Sequence, residues 1–180
     1  MEILHLGTLY GSRNFDKIFS SLDSLYDENK IARGSVTLTN LGSVYTANSA
    51  EYLARDDFKL LGERQRVDAM RLAKRADFLL LVQHDDKRSE ETIPYKLYDY
   101  LNLNMPIILL VKNPEISQIC ERHRSLVANC GSEQEIKAVI ASAMAIFADE
   151  KANFPREQVR ENRRLEIRSQ LVNVIPKIFQ

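Results

Sequence analysis

Two carboxylates separated by seven residues, Glu91 and Asp99, bracket a proline and a lysine in the stretch Glu90-Glu91-Thr92-Ile93-Pro94-Tyr95-Lys96-Leu97-Tyr98-Asp99-Tyr100-Leu101. Pro94 suits the first turn of a helix, where its missing N–H would be unpaired anyway. The free amides of such a turn make an anion site available. A helix starting at Pro94 puts Tyr95, Lys96 and Asp99 on one face, with Asp99 about one turn below Tyr95. A second group with chemistry in it is Gly7-Thr8-Leu9-Tyr10-Gly11-Ser12-Arg13. Glycine permits tight turns and close backbone approach. The forked, permanently charged guanidinium of Arg13 suits a diphosphate.

The elements that must position these residues are legible as an alternation. Phe78 to Val82 and Ile107 to Val111 are short apolar runs bounded by polar or turn residues, the pattern of buried parallel strands. Further strands are expected at Glu2 to Leu6, Ser35 to Leu41, Phe58 to Leu61 and Ser125 to Ala128. Helices are expected at Phe15 to Tyr26 with Asn14 as cap, around Ala50 to Ala54, and from Arg64 to Arg75 with Val67, Met70 and Ala73 inward. Others run over residues 94–102, from Pro114 to about Glu121, and from the Ser132 cap to about Phe147, where Glu135 completes a capping box. A break near Asn153-Phe154-Pro155 precedes a helix from about Arg156. Strands alternating with helices imply right-handed crossovers, hence a Rossmann-like three-layer α/β domain with a mostly parallel sheet and a long C-terminal helix. Residues 1–155 form the domain, and residues 156–180 form the helix packed on it or on a partner domain. Ligands in such sheets bind beyond the carboxyl ends of the strands. That rule gathers Gly7 to Arg13, Gly42 to Tyr45, Gly62 to Arg64 and His84 to Glu91 onto one rim.

The first loop is neither GxGxxG nor a Walker A motif. The Glu91-to-Asp99 spacing instead resembles the Glu-x7-Glu element of the nucleotide-sugar-binding domain of GT-B glycosyltransferases, especially the large retaining family 4. Ile93-Pro94-Tyr95-Lys96-Leu97-Tyr98-Asp99-Tyr100-Leu101, followed by Asn104-Met105-Pro106-Ile107-Ile108, is similar to a string in bacterial polysaccharide glycosyltransferases, with Asp99 in place of the usual second Glu. The glycine-and-basic loop after the first strand and the Phe58-to-Gly62 run resemble the same pattern. The resemblance covers about residues 3–147. It implies a donor-binding domain for a nucleotide diphosphate sugar, one half of a GT-B fold, with an N-terminal acceptor-binding domain supplied in cis or in trans. It implies that Asp99 bonds the ribose hydroxyls and that Glu91, the catalytic candidate, faces the donor sugar. The backbone around Ile93, Pro94 and Tyr95, with Arg13 and Lys96, would hold the diphosphate; Gly7 would lie beside the phosphates and Gly62 before the nucleobase loop. It also implies transfer with retention to a glycan or lipid-linked acceptor, charge stabilisation by cations and a helix terminus in place of a metal, and no further cofactor. A non-catalytic nucleotide-binding module and a nucleotide-sugar epimerase are alternative uses of the same scaffold.

Each residue also has a plainer reading: Glu91 as a solvated loop acid, Asp99 in a surface ion pair, Lys96 and Arg13 as ordinary surface cations. Of Tyr95, Tyr98 and Tyr100, at least one belongs to the core. His84-Asp85-Asp86 invites a metal reading, but its spacing is wrong and no second cluster supports it. His5 reads as a satisfied core histidine and His123 as a surface one. Cys120 and Cys130 match no zinc or CxxC spacing and read as reduced thiols. The 180 residues carry 25 basic and 25 acidic side chains, which argues against a nucleic-acid-binding field. No apolar run approaches a membrane span and no signal-peptide pattern opens the chain, so a cytoplasmic protein is expected. Ile167, Leu171, Val174 and Ile178 form an apolar stripe beside Arg156, Arg160, Arg163, Arg164 and Arg168, which allows peripheral contact with the inner membrane face.

Overall fold

The computed structural model describes residues 1–120 and 123–153. Six strands form one all-parallel sheet: β1 (Glu2–Leu6), β3 (Thr37–Leu41), β5 (Phe58–Leu60), β6 (Phe78–Val82), β7 (Ile107–Leu110) and β8 (Ser125–Ala128), in the order β5-β3-β1-β6-β7-β8. The chain builds outward from β1 to β3 and β5, returns to place β6 on the other side of β1, and continues to β7 and β8. The order therefore reverses between β1 and β6. Their carboxyl ends flank the crevice where such sheets take ligands.

Alternation along each strand divides the core in two. Ile3, Leu38, Phe78, Leu80, Ile108 and Leu110 face one layer, and Leu4, Leu79, Leu81, Ile107 and Leu109 face the other. The first face is covered by α1 (Asp16–Asp27), α7 (Glu133–Asn153) and Tyr52 of α2 (Ser49–Leu53). Helix α1 forms because Ile18, Phe19, Leu22 and Leu25 recur on one stripe, and all four are buried. The second face is covered by α3 (Arg66–Ala73), α5 (Lys96–Leu103) and α6 (Pro114–Cys120), with Ala73, Leu97, Tyr100, Leu103 and Ile116 inward.

Several expectations are corrected. Helix α1 begins at Asp16, and Asn14 does not cap it; its Oδ1 accepts from the Asp16 amide at 3.1 Å and its Nδ2 donates to the Gly11 carbonyl at 3.2 Å, folding the turn ahead of the helix. Val67 is 61% exposed, because α3 starts only at Arg66 and its first turn lies outside the layer; Met70 is half-buried and Ala73 fully buried. The capping box at Ser132 is half made: the Glu135 amide donates to Ser132 Oγ at 3.3 Å, while the Glu135 carboxylate turns to the Asn129 amide at 2.9 Å. A short helix, α4 (Arg88–Glu91), and an extended Thr92 replace the expected loop before Pro94. A second sheet was not foreseen either: β2 (Leu9–Tyr10) pairs in parallel with β4 (Val44–Tyr45) at the rim. The apolar stripe with its arginines beyond residue 155 lies outside the described residues.

Candidate functional site

The crevice is built around the end of β1. Gly7 has φ +120°, and its amide donates to the Leu41 carbonyl at 2.8 Å. The loops after β1 and β3 are pressed together there: a Cβ on Gly42 would lie 2.5 Å from the Gly7 carbonyl oxygen. A Cβ on Gly7 would lie 2.8 Å from Lys96 Nζ. Gly42 is thus required by close approach to backbone, and both glycines by a backbone conformation that L side chains rarely adopt, while a side chain on Gly7 would displace the Lys96 ammonium.

Helix α5 brings Lys96 to this point. It starts two residues later than Pro94 alone suggests: Tyr95 is its N-cap, and the Pro94 carbonyl accepts from the Leu97 amide at 2.9 Å. The helix is pinned from below by Tyr100, whose hydroxyl accepts from the Leu6 amide at 2.9 Å and donates to the Leu80 carbonyl at 3.2 Å. One buried phenol therefore ties α5 to both strands of the switch point. The segment leading into it is held by Gln83, whose Nε2 donates to the Thr92 carbonyl at 2.7 Å and whose Oε1 accepts from the Lys112 amide at 3.0 Å. Asn104, in the left-handed conformation at φ 54°, ends the helix.

Lys96 Nζ donates to the Leu6 carbonyl at 2.8 Å and lies 3.5 Å from His5 Nε2. Burial, and secondarily the nearby Arg13 charge, lower its pKa to about 8. Arg13 is half-buried, its guanidinium 5.2 Å from the centroid of the Tyr10 ring, and its Nε is buried with no hydrogen-bond partner. Two cations that repel each other thus share one crevice, and part of their donor capacity is unused. Such an arrangement costs stability unless an anion completes it.

The two acids sit apart from this pair. Asp99 accepts both guanidinium nitrogens of Arg66 from α3, at 2.5 and 3.1 Å. The ion pair is the plainer of the two roles read for Asp99, and it leaves further lone pairs on the carboxylate for other donors. Glu91 ends α4 and is exposed. Ile93 packs against the second core, Pro94 is half-buried, and Tyr95 is 91% exposed at the rim. Gly62 lies in the loop after β5, two strands out from β1, where the Glu63 carboxylate accepts from Ser43 Oγ at 3.1 Å and joins that loop to the one after β3.

His84, Asp85 and Asp86 turn to three different partners: His84 Nδ1 to Ser12 Oγ at 3.2 Å, Asp85 to Lys17 and Lys112 at 2.6 Å each, and Asp86 to Arg88 at 2.6 Å. No grouping of three or more His, Cys, Asp or Glu side chains able to hold a metal occurs among the described residues. His5, read as a satisfied core histidine, is fully buried, with Nδ1 2.7 Å from Asn40 Oδ1. Its contact with Lys96, like the roles of Tyr100, Gln83 and Arg66, was not foreseen. For His5 and Gln83 the signal was a polar residue inside or at the end of an apolar run.

Comparison with known protein families finds no match, and comparison with curated proteins finds none either. Solved structures do match. The glycosyltransferase WaaG, involved in lipopolysaccharide biosynthesis, superposes with a TM-score of 0.64 at 19% identity, over 98% of this chain and 45% of that one. A trehalose-6-phosphate synthase, studied for glycosyl transfer with retention, matches with a TM-score of 0.60 at 14% identity, over 96% of this chain and 41% of that one. The Anabaena protein HepE, solved with UDP-glucose, matches with a TM-score of 0.51 at 13% identity, over 93% and 48%. At these identities the likeness is one of fold. The chain is a three-layer Rossmann-like domain of the kind that makes one half of a GT-B fold. It spans less than half the length of each of these three structures. Among the described residues no helix is long and apolar enough to cross a membrane.

Proposed function

We propose that this chain is the donor-binding half of a glycosyltransferase and that its switch-point crevice takes a nucleoside diphosphate sugar. The observation that carries the reading is the pair Arg13 and Lys96, two cations held beside each other at the end of β1 with Arg13 Nε unpartnered. A diphosphate has the charge and the acceptor oxygens to complete that pair. The start of α5 adds helix-terminal amides on the same side.

The remaining roles follow from position. Asp99, oriented by Arg66, accepts the ribose hydroxyls while keeping its ion pair. Glu91, exposed at the end of α4 just ahead of the Ile93-Pro94 segment, is assigned to the donor sugar. When the glycosidic bond to phosphate breaks, the negative charge left on the diphosphate is stabilised by Arg13, Lys96 and the α5 amides. No metal and no further cofactor enters this account. An acceptor-binding domain, in cis or in trans, brings the acceptor, a surface glycan or lipid-linked glycan of the polysaccharide type. Transfer with retention is proposed in line with the trehalose-6-phosphate synthase likeness. The reaction takes place in the cytoplasm, where nucleotide sugars are used, at the inner face of the membrane if the acceptor is lipid-linked.

The test is calorimetric titration of the chain with UDP, GDP, dTDP and CMP, beside Arg13→Met, Asp99→Ala and Glu91→Ala. One diphosphate is expected to bind. Arg13→Met should lower its affinity about a hundredfold, two charge-assisted contacts being lost. Asp99→Ala should weaken the nucleotide but not inorganic pyrophosphate. Glu91→Ala should leave both unchanged and act only on sugar transfer by the two-domain protein. Absence of binding by every diphosphate, in this chain and in a two-domain protein containing it, overturns the reading.

A further inference from the structure

We infer that His5 and Asn40 are a positioning pair that holds the Lys96 ammonium over Gly7, so that the anion site is built from the inside of the sheet and not from rim residues alone. The inference rests on the donor-binding reading for the identity of the anion; the held lysine itself does not depend on it.

His5 and Asn40 are direct register partners on β1 and β3, and both side chains are fully buried. A polar pair at the centre of a parallel sheet is costly unless every polar atom is satisfied. Here satisfaction runs in one direction and ends at Lys96. Asn40 Nδ2 donates to the Gly42 carbonyl at 3.1 Å, which fixes the amide with Oδ1 toward His5. That oxygen then accepts from His5 Nδ1 at 2.7 Å, so Nδ1 carries the proton and Nε2 presents a lone pair. The nearest donor to that lone pair is Lys96 Nζ at 3.5 Å, which also donates to the Leu6 carbonyl at 2.8 Å. Gly7 supplies the space: the ammonium lies 2.8 Å from where its Cβ would be.

The charges around the ammonium are named readily. Arg13 faces it from the loop after β1, His5 from β1 itself, and Asp99 on its own helix is taken up by Arg66 of α3. His5 stays neutral, because burial first and then the Lys96 and Arg13 charges push its pKa down to about 3. Its lone pair is therefore present from about pH 3 up to the pH near 8 at which Lys96 loses its charge. An apolar pair in the same register would pack the sheet but would leave the ammonium with one carbonyl and freedom to swing away. Neither His5 nor Asn40 touches the anion, so both act through Lys96.

The experiment uses the full chain as wild type, His5→Phe, Lys96→Met and the double variant, with inorganic pyrophosphate as the calorimetric probe. Phe keeps an aromatic ring, slightly larger than imidazole, and the edge contact with Phe15, whose centroid lies 5.5 Å from that of His5. His5→Phe should weaken pyrophosphate about tenfold and Lys96→Met about a hundredfold, and the double variant should equal Lys96→Met alone, because the histidine has nothing left to position. His5→Gln, which can restore an acceptor, should recover most of the loss and covers the case in which the Phe variant does not fold. In parallel, NMR titration of the Lys96 Cε should show its midpoint falling below about 8 in His5→Phe, as the ammonium loses an acceptor. Additive losses in the double variant, or an unmoved Lys96 midpoint in a folded His5→Phe protein, overturn the positioning pair. Failure to bind pyrophosphate by the wild-type chain and by a two-domain protein containing it overturns the donor-binding reading instead, and the Lys96 midpoint then decides the positioning pair alone.

Discussion

Two arginines in this molecule sit in opposite circumstances. Arg55, just beyond α2, donates to both oxygens of Asp23 at 2.7 and 2.8 Å and to both oxygens of Asp57 at 2.8 and 3.0 Å, and it lies 4.4 Å from the centroid of the Phe19 ring. Tyr26 adds its hydroxyl to Asp57 at 3.2 Å. Arg13, at the carboxyl end of β1, has an aromatic ring beside it, a second cation nearby and an unpartnered Nε. The first arginine is finished by the protein and joins α1, α2 and β5. On the proposed function, the second is left for the diphosphate. Where charge is complete it holds the fold, and where it is left open at a switch point it is the candidate binding site.

The comparison is tested most severely at the finished end. Arg55→Ala leaves Asp57, whose side chain is 9% exposed, without its cation. Breaking one partner of a pair this enclosed costs on the order of 3–5 kcal/mol. Thermal unfolding should fall by roughly 6–20 °C at this chain length, while pyrophosphate affinity in the folded fraction stays unchanged. A loss of affinity equal to that of Arg13→Met would erase the distinction between the two regions.

Gly42→Ala is next. The new Cβ would meet backbone, with the Gly7 carbonyl carbon at 2.6 Å and Cα at 3.0 Å, and φ is +147°. Backbone cannot rotate aside as a side chain can, so a cost of about 2–3 kcal/mol is expected. Because the displaced atoms belong to Gly7, over which Lys96 sits, anion affinity should fall in parallel. Denaturant unfolding and pyrophosphate titration on the same sample check both effects. A loss of stability with full affinity would show that Gly7 does not set the lysine.

The opposite sign is expected at Lys96. Its folded pKa is depressed to about 8 from the ordinary 10.5, so the charged lysine opposes folding at neutral pH. The favourable contribution is present above about 10.5 and is lost as pH falls toward 8. The full difference is on the order of 3 kcal/mol. Lys96→Met should therefore stabilise the protein at pH 7, by about 1–3 kcal/mol after the lost bond to the Leu6 carbonyl is allowed for. Wild-type anion binding should weaken as pH rises through about 8, with no such inflection in the variant. A destabilised Lys96→Met protein would place the lysine with Arg55, among the groups that hold the fold.

The sequence made the finished parts of the fold easy to read and the charged parts hard. Phe78-Leu79-Leu80-Leu81-Val82 and Ile107 to Leu110 declare themselves as buried strands through unbroken apolarity, and β1, β6 and β8 fall where periodicity and turn residues put them. Gly7 and Arg13 were legible as a group because they follow β1, and Lys96 joined them only through the family resemblance. What could not be read was which atom each cation would meet. The His5–Asn40 contact depends on strand register, which nothing local specifies. The Arg66–Asp99 pair depends on α3 and α5 lying side by side on one face. The β2–β4 sheet of two-residue strands carries no pattern long enough to detect. Val67 misled because helical spacing alone does not say where a helix runs past the layer that it covers.

The smallest expected effect sharpens the comparison, because the Arg66–Asp99 pair stands between its two poles. The pair is well aligned, like Arg55 with its acids, yet Arg66 is 73% exposed, unlike Arg55. As an exposed ion pair it contributes 0 to about 1 kcal/mol, so Arg66→Ala should barely move the unfolding midpoint. If Asp99 takes the ribose, Arg66 serves to hold the carboxylate in place. Its loss should then weaken a nucleoside diphosphate a few-fold and leave pyrophosphate unaffected, while Asp99→Ala does the same more strongly. If Arg66→Ala leaves both ligands unaffected while Asp99→Ala weakens the nucleotide, Asp99 finds its orientation without Arg66. If the two substitutions weaken nucleotide and pyrophosphate alike, the acid acts on the charge of the crevice as a whole, and the ribose is read elsewhere.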